Sequence, residues 1–217
     1  MSESDSGLWL GIDTSTSVTA ALARPGHVLA SRAVTATNVH VEQLMPLVSE
    51  VMAASGHVLA DLAGIVVGIG PGPFTGLRVG IVTAQTLAYV LDVPVRGVCS
   101  LDIVALTFAA THPSRGFTVI SDARRKELYW ATYEPSGKRL DGPNVTLPCD
   151  VPTGLIVGPA ADLYELAGER VVVALDPGAI AVAPTRLADL GTEPLYLRRP
   201  DAQVSTSIKT VLTGRPS

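Results

Sequence analysis

Between positions 68 and 80 the chain reads Gly68-Ile69-Gly70-Pro71-Gly72-Pro73-Phe74-Thr75-Gly76-Leu77-Arg78-Val79-Gly80, and few folds can house such a run. Its five glycines permit close backbone approach and positive φ, and its prolines fix φ. It stands between a buried-strand pattern, Leu62 to Ile69, and a helical pattern, Gly76 to Leu91. Successive N–H groups ahead of a helix form a nest that binds anions, so phosphate binding through Gly70, Gly72, Thr75 and Gly76 is one reading. A rigid turn that seats a helix is the other. The run is no Walker A loop, since no Gly-Lys-Ser/Thr follows, and Pro73 and Phe74 restrict the space over the nest.

The rest of the chain supplies a setting for that loop. Residues 7–36 and 116–147 share a layout of strand, Asp-led turn, strand, Gly turn and strand, with Gly7 and Gly116 each six residues ahead of Asp13 and Asp122. This suggests two duplicated lobes, each opening with a β-meander, although any two meanders look alike. Strand and helix patterns then alternate, which is the α/β signature. Helices are expected over 38–55, 76–91 and 101–111, the first with Pro46 either in its first turn or at a kink. Ser100 is expected to cap the third. Beyond Pro148 the pattern predicts strands at 155–157 and 171–173 and helices at 160–167 and 179–190. The expected division is an N-terminal lobe, 7–111, with the glycine-rich loop, and a smaller C-terminal lobe, 112–217.

Charge and cysteine content exclude several classes. The formal charge is −4, which argues against this chain gripping nucleic acid alone, because phosphate backbones need a clustered basic surface. Only Arg124-Arg125-Lys126 and Arg198-Arg199 are short basic runs. Residues 1–6 are polar and acidic, so neither a signal peptide nor a membrane span is expected there, and the expected location is the cytoplasm. Cys99 and Cys149 stand far apart without Cys-x-x-Cys spacing, as structural thiols in a reducing compartment do.

A second run, Asp13-Thr14-Ser15-Thr16-Ser17, falls at the first hairpin turn, where a carboxylate can hold a hydrated cation and hydroxyls can bind phosphate. The turn's own hydrogen bonding explains the same residues equally well. With Leu10-Gly11-Ile12, with His40-Val41-Glu42-Gln43-Leu44-Met45-Pro46, with Asp122-Ala123-Arg124 and with Pro194-Leu195-Tyr196-Leu197-Arg198, these runs give the chain a resemblance to the TsaB family. That family lies within the fold class of sugar kinases, actin and the heat-shock chaperone ATPase. The resemblance implies an α/β fold of two lobes with duplicated actin-like, sugar-kinase-like (ribonuclease H-like) topology. It implies Asp13, Thr14, Ser15, Gly70, Gly72, Thr75 and Gly76 as vestigial phosphate loops.

The resemblance also implies a role. A chain of this family is a non-catalytic scaffold of the tRNA N6-threonylcarbamoyladenosine machinery, paired with a TsaD-type catalytic subunit and supporting a TsaE-type P-loop ATPase. It touches tRNA only through the complex, forms a homodimer when alone, and meets ATP or ADP only within the assembly. The histidines agree with a chain that lacks the metal. The catalytic relatives carry His-x-x-x-His, which places two imidazoles on one helix face, whereas His27, His40, His57 and His112 are never four apart. No catalytic or metal residue is assigned. The helical patterns supply the expected partner interface: Leu44, Leu47, Val48 and Val51 on the first helix, and Leu77, Ile81 and Leu87 on the second. At that spacing the first set, judged alone, is more often core than interface, and the second helix is either sandwiched inside the lobe or covered by another chain. The alternative function is a small-molecule kinase or ATPase using the two degenerate phosphate loops.

Overall fold

A computed structural model describes residues 7–34, 41–112 and 114–198. It contains two mixed five-stranded sheets with helices between and beside them, an α/β architecture. The first sheet has β1 (Leu8–Asp13), β2 (Val18–Arg24), β3 (His27–Val34), β4 (Leu62–Gly68) and β5 (Val95–Val98) in the order β3-β2-β1-β4-β5. Its strands β1, β2 and β3 pair antiparallel, and β4 and β5 are parallel to β1. The second has β6 (Phe117–Asp122), β7 (Leu128–Tyr133), β8 (Arg139–Thr146), β9 (Gly154–Gly158) and β10 (Gly168–Val172) in the order β10-β9-β6-β7-β8. There β6, β7 and β8 pair antiparallel, and β9 and β10 run parallel to β6. Counted from the first strand of each, the two sheets have the same order and the same strand senses.

The sequence accounts for the central strands. Leu-Trp-Leu-Gly-Ile-Asp in β1 is buried at all six positions, as a strand covered on both faces must be, whereas β3 at the edge is mostly open to solvent. The helices α1 (Leu44–Ser55) and α2 (Phe74–Leu91) cover the outer face of the first sheet. Pro46 falls in the first turn of α1, where its missing N–H costs no intrahelical bond, and Gly56 ends the helix in the left-handed region at φ 71°. Among the described residues α2 alone is long and apolar enough to cross a membrane, yet Leu77, Gly80, Ile81, Ala84 and Ala88 form a stripe buried within this chain.

Between the sheets lies α3 (Ser100–Ala109), buried at eight of its ten positions. It shares one core with Trp9 and Val66 of the first sheet and Val119, Tyr133 and Val157 of the second. The short α4 (Gly178–Ala181) packs against β1, β2 and α3. Two expected helices differ. Residues 159–163 form turns closed by Ala161 N–H to Gly158 O and Leu163 N–H to Ala160 O, three residues apart, and residues 164–167 are irregular. The helix expected over 179–190 stops at Ala181, because Pro184 has no N–H to offer and its ring excludes the carbonyl one turn back.

Candidate functional site

The two runs singled out in the sequence meet in space and satisfy each other. Asp13 ends β1, and its side chain is shut off from solvent. Its Oδ1 accepts from the Ser15 N–H at 2.7 Å and the Ser15 hydroxyl at 2.6 Å, and Oδ2 accepts from the Ser100 hydroxyl at 2.6 Å. The Ser100 oxygen in turn accepts from the Gly70 N–H at 3.1 Å, and the Ser100 N–H donates to the Gly70 carbonyl at 2.7 Å. Burial pushes the Asp13 carboxyl above the ordinary 3.8, and the hydrogen bonds from Ser100 and Ser15 offset only part of that.

Glycine is required here by space. A Cβ on Gly68 would lie 1.7 Å from Asp13 Oδ2, and one on Gly72 would lie 2.8 Å from the Ser15 Cα. One on Gly80 would lie 2.3 Å from the Thr14 hydroxyl, which itself donates to the Gly76 carbonyl at 2.8 Å. The glycine-rich run therefore lets a strand-to-helix turn sit directly on the first hairpin. Asp13, Thr14, Ser15, Gly70, Gly72 and Gly76 come together in this knot, while Thr75 stays exposed on the first turn of α2. Ser100, expected to cap α3, makes no capping bond; Cys99 is the cap position, and the Ser100 hydroxyl spans the interior to Asp13. The sequence hid this role because a serine ahead of a helix has a sufficient local explanation.

Above the knot, two adjoining cavities share Pro73 and Arg124. The larger, about 280 Å³, runs from Ser15, Thr16 and Ser17 to Asp122, Arg124, Leu163 and Leu175. The smaller, about 160 Å³, is walled by Phe74, Tyr129, Tyr196, Arg124, Arg125 and Arg198. Residues 189–198 build part of this wall by crossing both sheets. Leu190 and Leu195 donate to the carbonyls of Gly97 and Ile69, both at 2.8 Å. Tyr196 stacks on Phe74 at 4.7 Å and accepts from Arg78 Nε at 3.0 Å. Arg198 donates to the Ala123 carbonyl and pairs with Glu127. Sequence reasoning marked 194–198 as familial without finding this bridging role; Arg199 lies outside the described residues, as does His40.

The expected interface residues need correction. Leu44, Leu47, Val48, Val51, Leu77 and Ile81 are buried against the first sheet of their own chain, and only Leu87 is partly exposed. An apolar stripe at helical spacing first serves the sheet beneath it. The outward side chains are others: Tyr89 is 89% exposed, Val90 71% and Val82 57%, with Met45 on α1. No group of three or more His, Cys, Asp or Glu with metal-binding proximity occurs among the described residues. Cys99 and Cys149 are free thiols, and burial pushes Cys99 up to about 12.

Comparison with known proteins places this geometry. Residues 28–148, more than half of the chain, match the family described as "TsaD: tRNA N6-adenosine threonylcarbamoyltransferase". An uncharacterised protein of Mycobacterium leprae is 39% identical over 210 residues, covering 91% of this chain and 56% of that one. The tRNA threonylcarbamoyladenosine biosynthesis protein TsaB of Bacillus subtilis is 36% identical over 126 residues, 58% of this chain and 54% of that one. The chain thus spans little more than half the length of these relatives. A Pseudomonas aeruginosa crystal structure, described as similar to peptidase YEAZ, superposes with a TM-score of 0.73 at 24% identity, covering 88% of this chain and 100% of that one, which is a likeness of fold. The chain belongs to the family of the tRNA N6-adenosine threonylcarbamoyltransferase TsaD, and within it is a TsaB-type protein.

Proposed function

We propose that this chain acts in tRNA N6-threonylcarbamoyladenosine biosynthesis as a non-catalytic partner subunit. In this reading it pairs with a TsaD-type subunit, supports a TsaE-type ATPase, works in the cytoplasm and meets tRNA only within the complex. The two sheets are duplicated actin-like lobes, 7–111 and 112–217, the first of which carries the partner surface. Alone, the chain covers that surface by forming a homodimer.

The observation that carries the reading is the contrast between the knot and the outer face of α2. At the knot the phosphate-loop residues are spent on one another: the Asp13 carboxylate is filled by internal donors, and Gly72, Gly76 and Gly80 seat their backbone on Thr14 and Ser15. Meanwhile α2 leaves Val82, Tyr89 and Val90 uncovered. Burying such side chains stabilises association by about 1.5–3 kcal/mol each, and the relatives' names supply the pathway.

Formation of threonylcarbamoyladenosine on tRNA, assayed with the TsaD-type, TsaE-type and adenylate-synthesising components with and without this chain, tests the role. Product that appears only when the chain is present supports it; product unchanged by omission refutes it. A Tyr89→Asp substitution is expected to abolish pairing without unfolding the chain, whereas Val48→Asp is expected to unfold it, because the charge enters the core.

The 280 Å³ cavity with its Thr16 and Ser17 wall favours the second reading, a small-molecule kinase or ATPase. Micromolar, magnesium-dependent ATP binding by the isolated chain in calorimetry would bring it forward.

A further inference from the structure

Away from the interlobe cavities, a third cavity of about 360 Å³ opens beside α3, between the β7–β8 turn and the segment that follows α4. Its walls are Asp102 and Leu106 of α3, Ser136, Gly137, Lys138 and Arg139 of the turn and β8, and Arg186, Leu187 and Ala188. The turn is held against the helix: a Cβ on Gly137, whose φ is +82°, would meet the Ala109 Cβ at 3.1 Å. The rim is thus set by backbone packing.

Among the described residues the lining of this cavity carries more cations than carboxylates. Lys138, Arg139 and Arg186 line it, and Arg96 reaches from β5 to the Leu187 carbonyl in its wall at 3.4 Å. Asp102 is the one carboxylate in the lining, and the Tyr133 hydroxyl already donates to its Oδ1 at 2.7 Å. Two further carboxylates stand outside the lining, each with its own hydrogen-bond donors. Glu134 accepts from the Ser136 hydroxyl, and Asp189 accepts from the backbone N–H groups of Gly97 and Gly191.

Donors are also left over. Three buried side-chain nitrogens among the described residues have no hydrogen-bond partner, and one of them, Arg139 Nη1, belongs to a residue that lines the cavity. Arg139 Nη1 stands 3.6 Å from Asp102 Oδ1, an ion pair too long for a hydrogen bond. A buried donor without an acceptor is costly, and an oxyanion entering the cavity brings the acceptors that the protein omits.

We propose that this cavity is a binding site for a small phosphate monoester, with Lys138, Arg139 and Arg186 as its anion ligands. The volume sits at the small end of the range for ligand pockets, about 300–1,000 Å³. Among the described residues its walls carry no aromatic ring on which a base would stack, which favours a compact metabolite over single-stranded RNA. The site is separate from the knot and from the outer face of α2, so it does not depend on the pathway assignment.

The test is calorimetric titration of the full chain with glycerol 3-phosphate and with inorganic phosphate, at constant ionic strength. Saturable binding is expected with one site per chain. Lys138 and Arg186 are exposed, so Lys138→Ala and Arg186→Ala should leave thermal unfolding without ligand unchanged and weaken binding by about tenfold each, the loss of one charge-assisted contact. An Arg32→Ala control, at an exposed arginine on β3, should bind like the parent. Absence of saturation at millimolar phosphate ester overturns the proposal, as does equal weakening in all three variants, which would mark a diffuse charge effect. Tighter binding of a short RNA to the same residues, with phosphate ester failing to displace it, also overturns the small-ligand assignment.

Discussion

The Asp-led turns of the two sheets begin alike and end differently. Each follows the first strand of its sheet, and in each the carboxylate accepts from the backbone N–H two residues on: Ser15 to Asp13 at 2.7 Å, Arg124 to Asp122 at 2.8 Å. The first turn is then sealed. Ser100 closes over Asp13 from α3, and the glycine-rich run packs onto Thr14 and Ser15. The second stays open, with Arg124, Arg125 and Lys126 at φ values of 63°, 54° and 63° and all three exposed. Asp122 meets Tyr164 and a largely exposed Arg124 instead of a second buried hydroxyl. One local device thus becomes a structural knot or a charged rim, depending on what the rest of the chain brings to it.

The sharpest way to break this contrast is Gly68→Ala. The added Cβ overlaps the Asp13 carboxylate, which three hydrogen bonds hold in place, so a loss of about 3 kcal/mol in denaturant unfolding is expected. Near-normal stability would mean that the knot yields easily and is less sealed than described. Next in size, Asp13→Ala should cost about 2 kcal/mol by stranding the hydroxyls of Ser15 and Ser100, whereas Asp122→Ala, at a half-exposed site, should cost about 1 kcal/mol or less.

The same pair differs in its response to pH. Because the folded state raises the Asp13 pKa above 3.8, the neutral acid is favoured by folding. Its contribution to stability is fully present below about pH 3.8 and is lost as pH rises through the folded value. The stability of Asp13→Asn relative to the parent should therefore climb as pH rises from below 3.8, read from unfolding midpoints across the range. A flat difference would show that Asp13 is not desolvated. The smallest effect belongs to the open turn: Arg124→Ala removes an ion pair whose arginine side chain is 70% exposed and should change stability by less than about 0.5 kcal/mol.

How much of this could be read from the residues varies along the chain. Up to Ala109 the elements follow their patterns closely, because β1, β4, α2 and α3 are strongly apolar and β4 and α2 meet at the glycine- and proline-rich run. Past Pro148 the segments are short, and Pro184 breaks a helical pattern that alanine content alone would extend. At the candidate site, Asp13 and the glycines were legible because their residue types are unusual at that spacing. Ser100 and Tyr196 were not, since each contacts residues about ninety to one hundred and twenty positions away.

By itself the sequence determined that this is an α/β chain with a glycine-rich strand-to-helix turn and a helix too apolar to show only one oily face. Those properties reside in composition and period, which are local. The tertiary structure decided which face of α2 the sheet consumes, leaving Val82, Tyr89 and Val90 outside, and which donors reach Asp13. Helical periodicity identifies an apolar stripe but carries no record of what lies beneath it. Burial and hydrogen bonding are properties of neighbours, and neighbours here come from opposite ends of the chain.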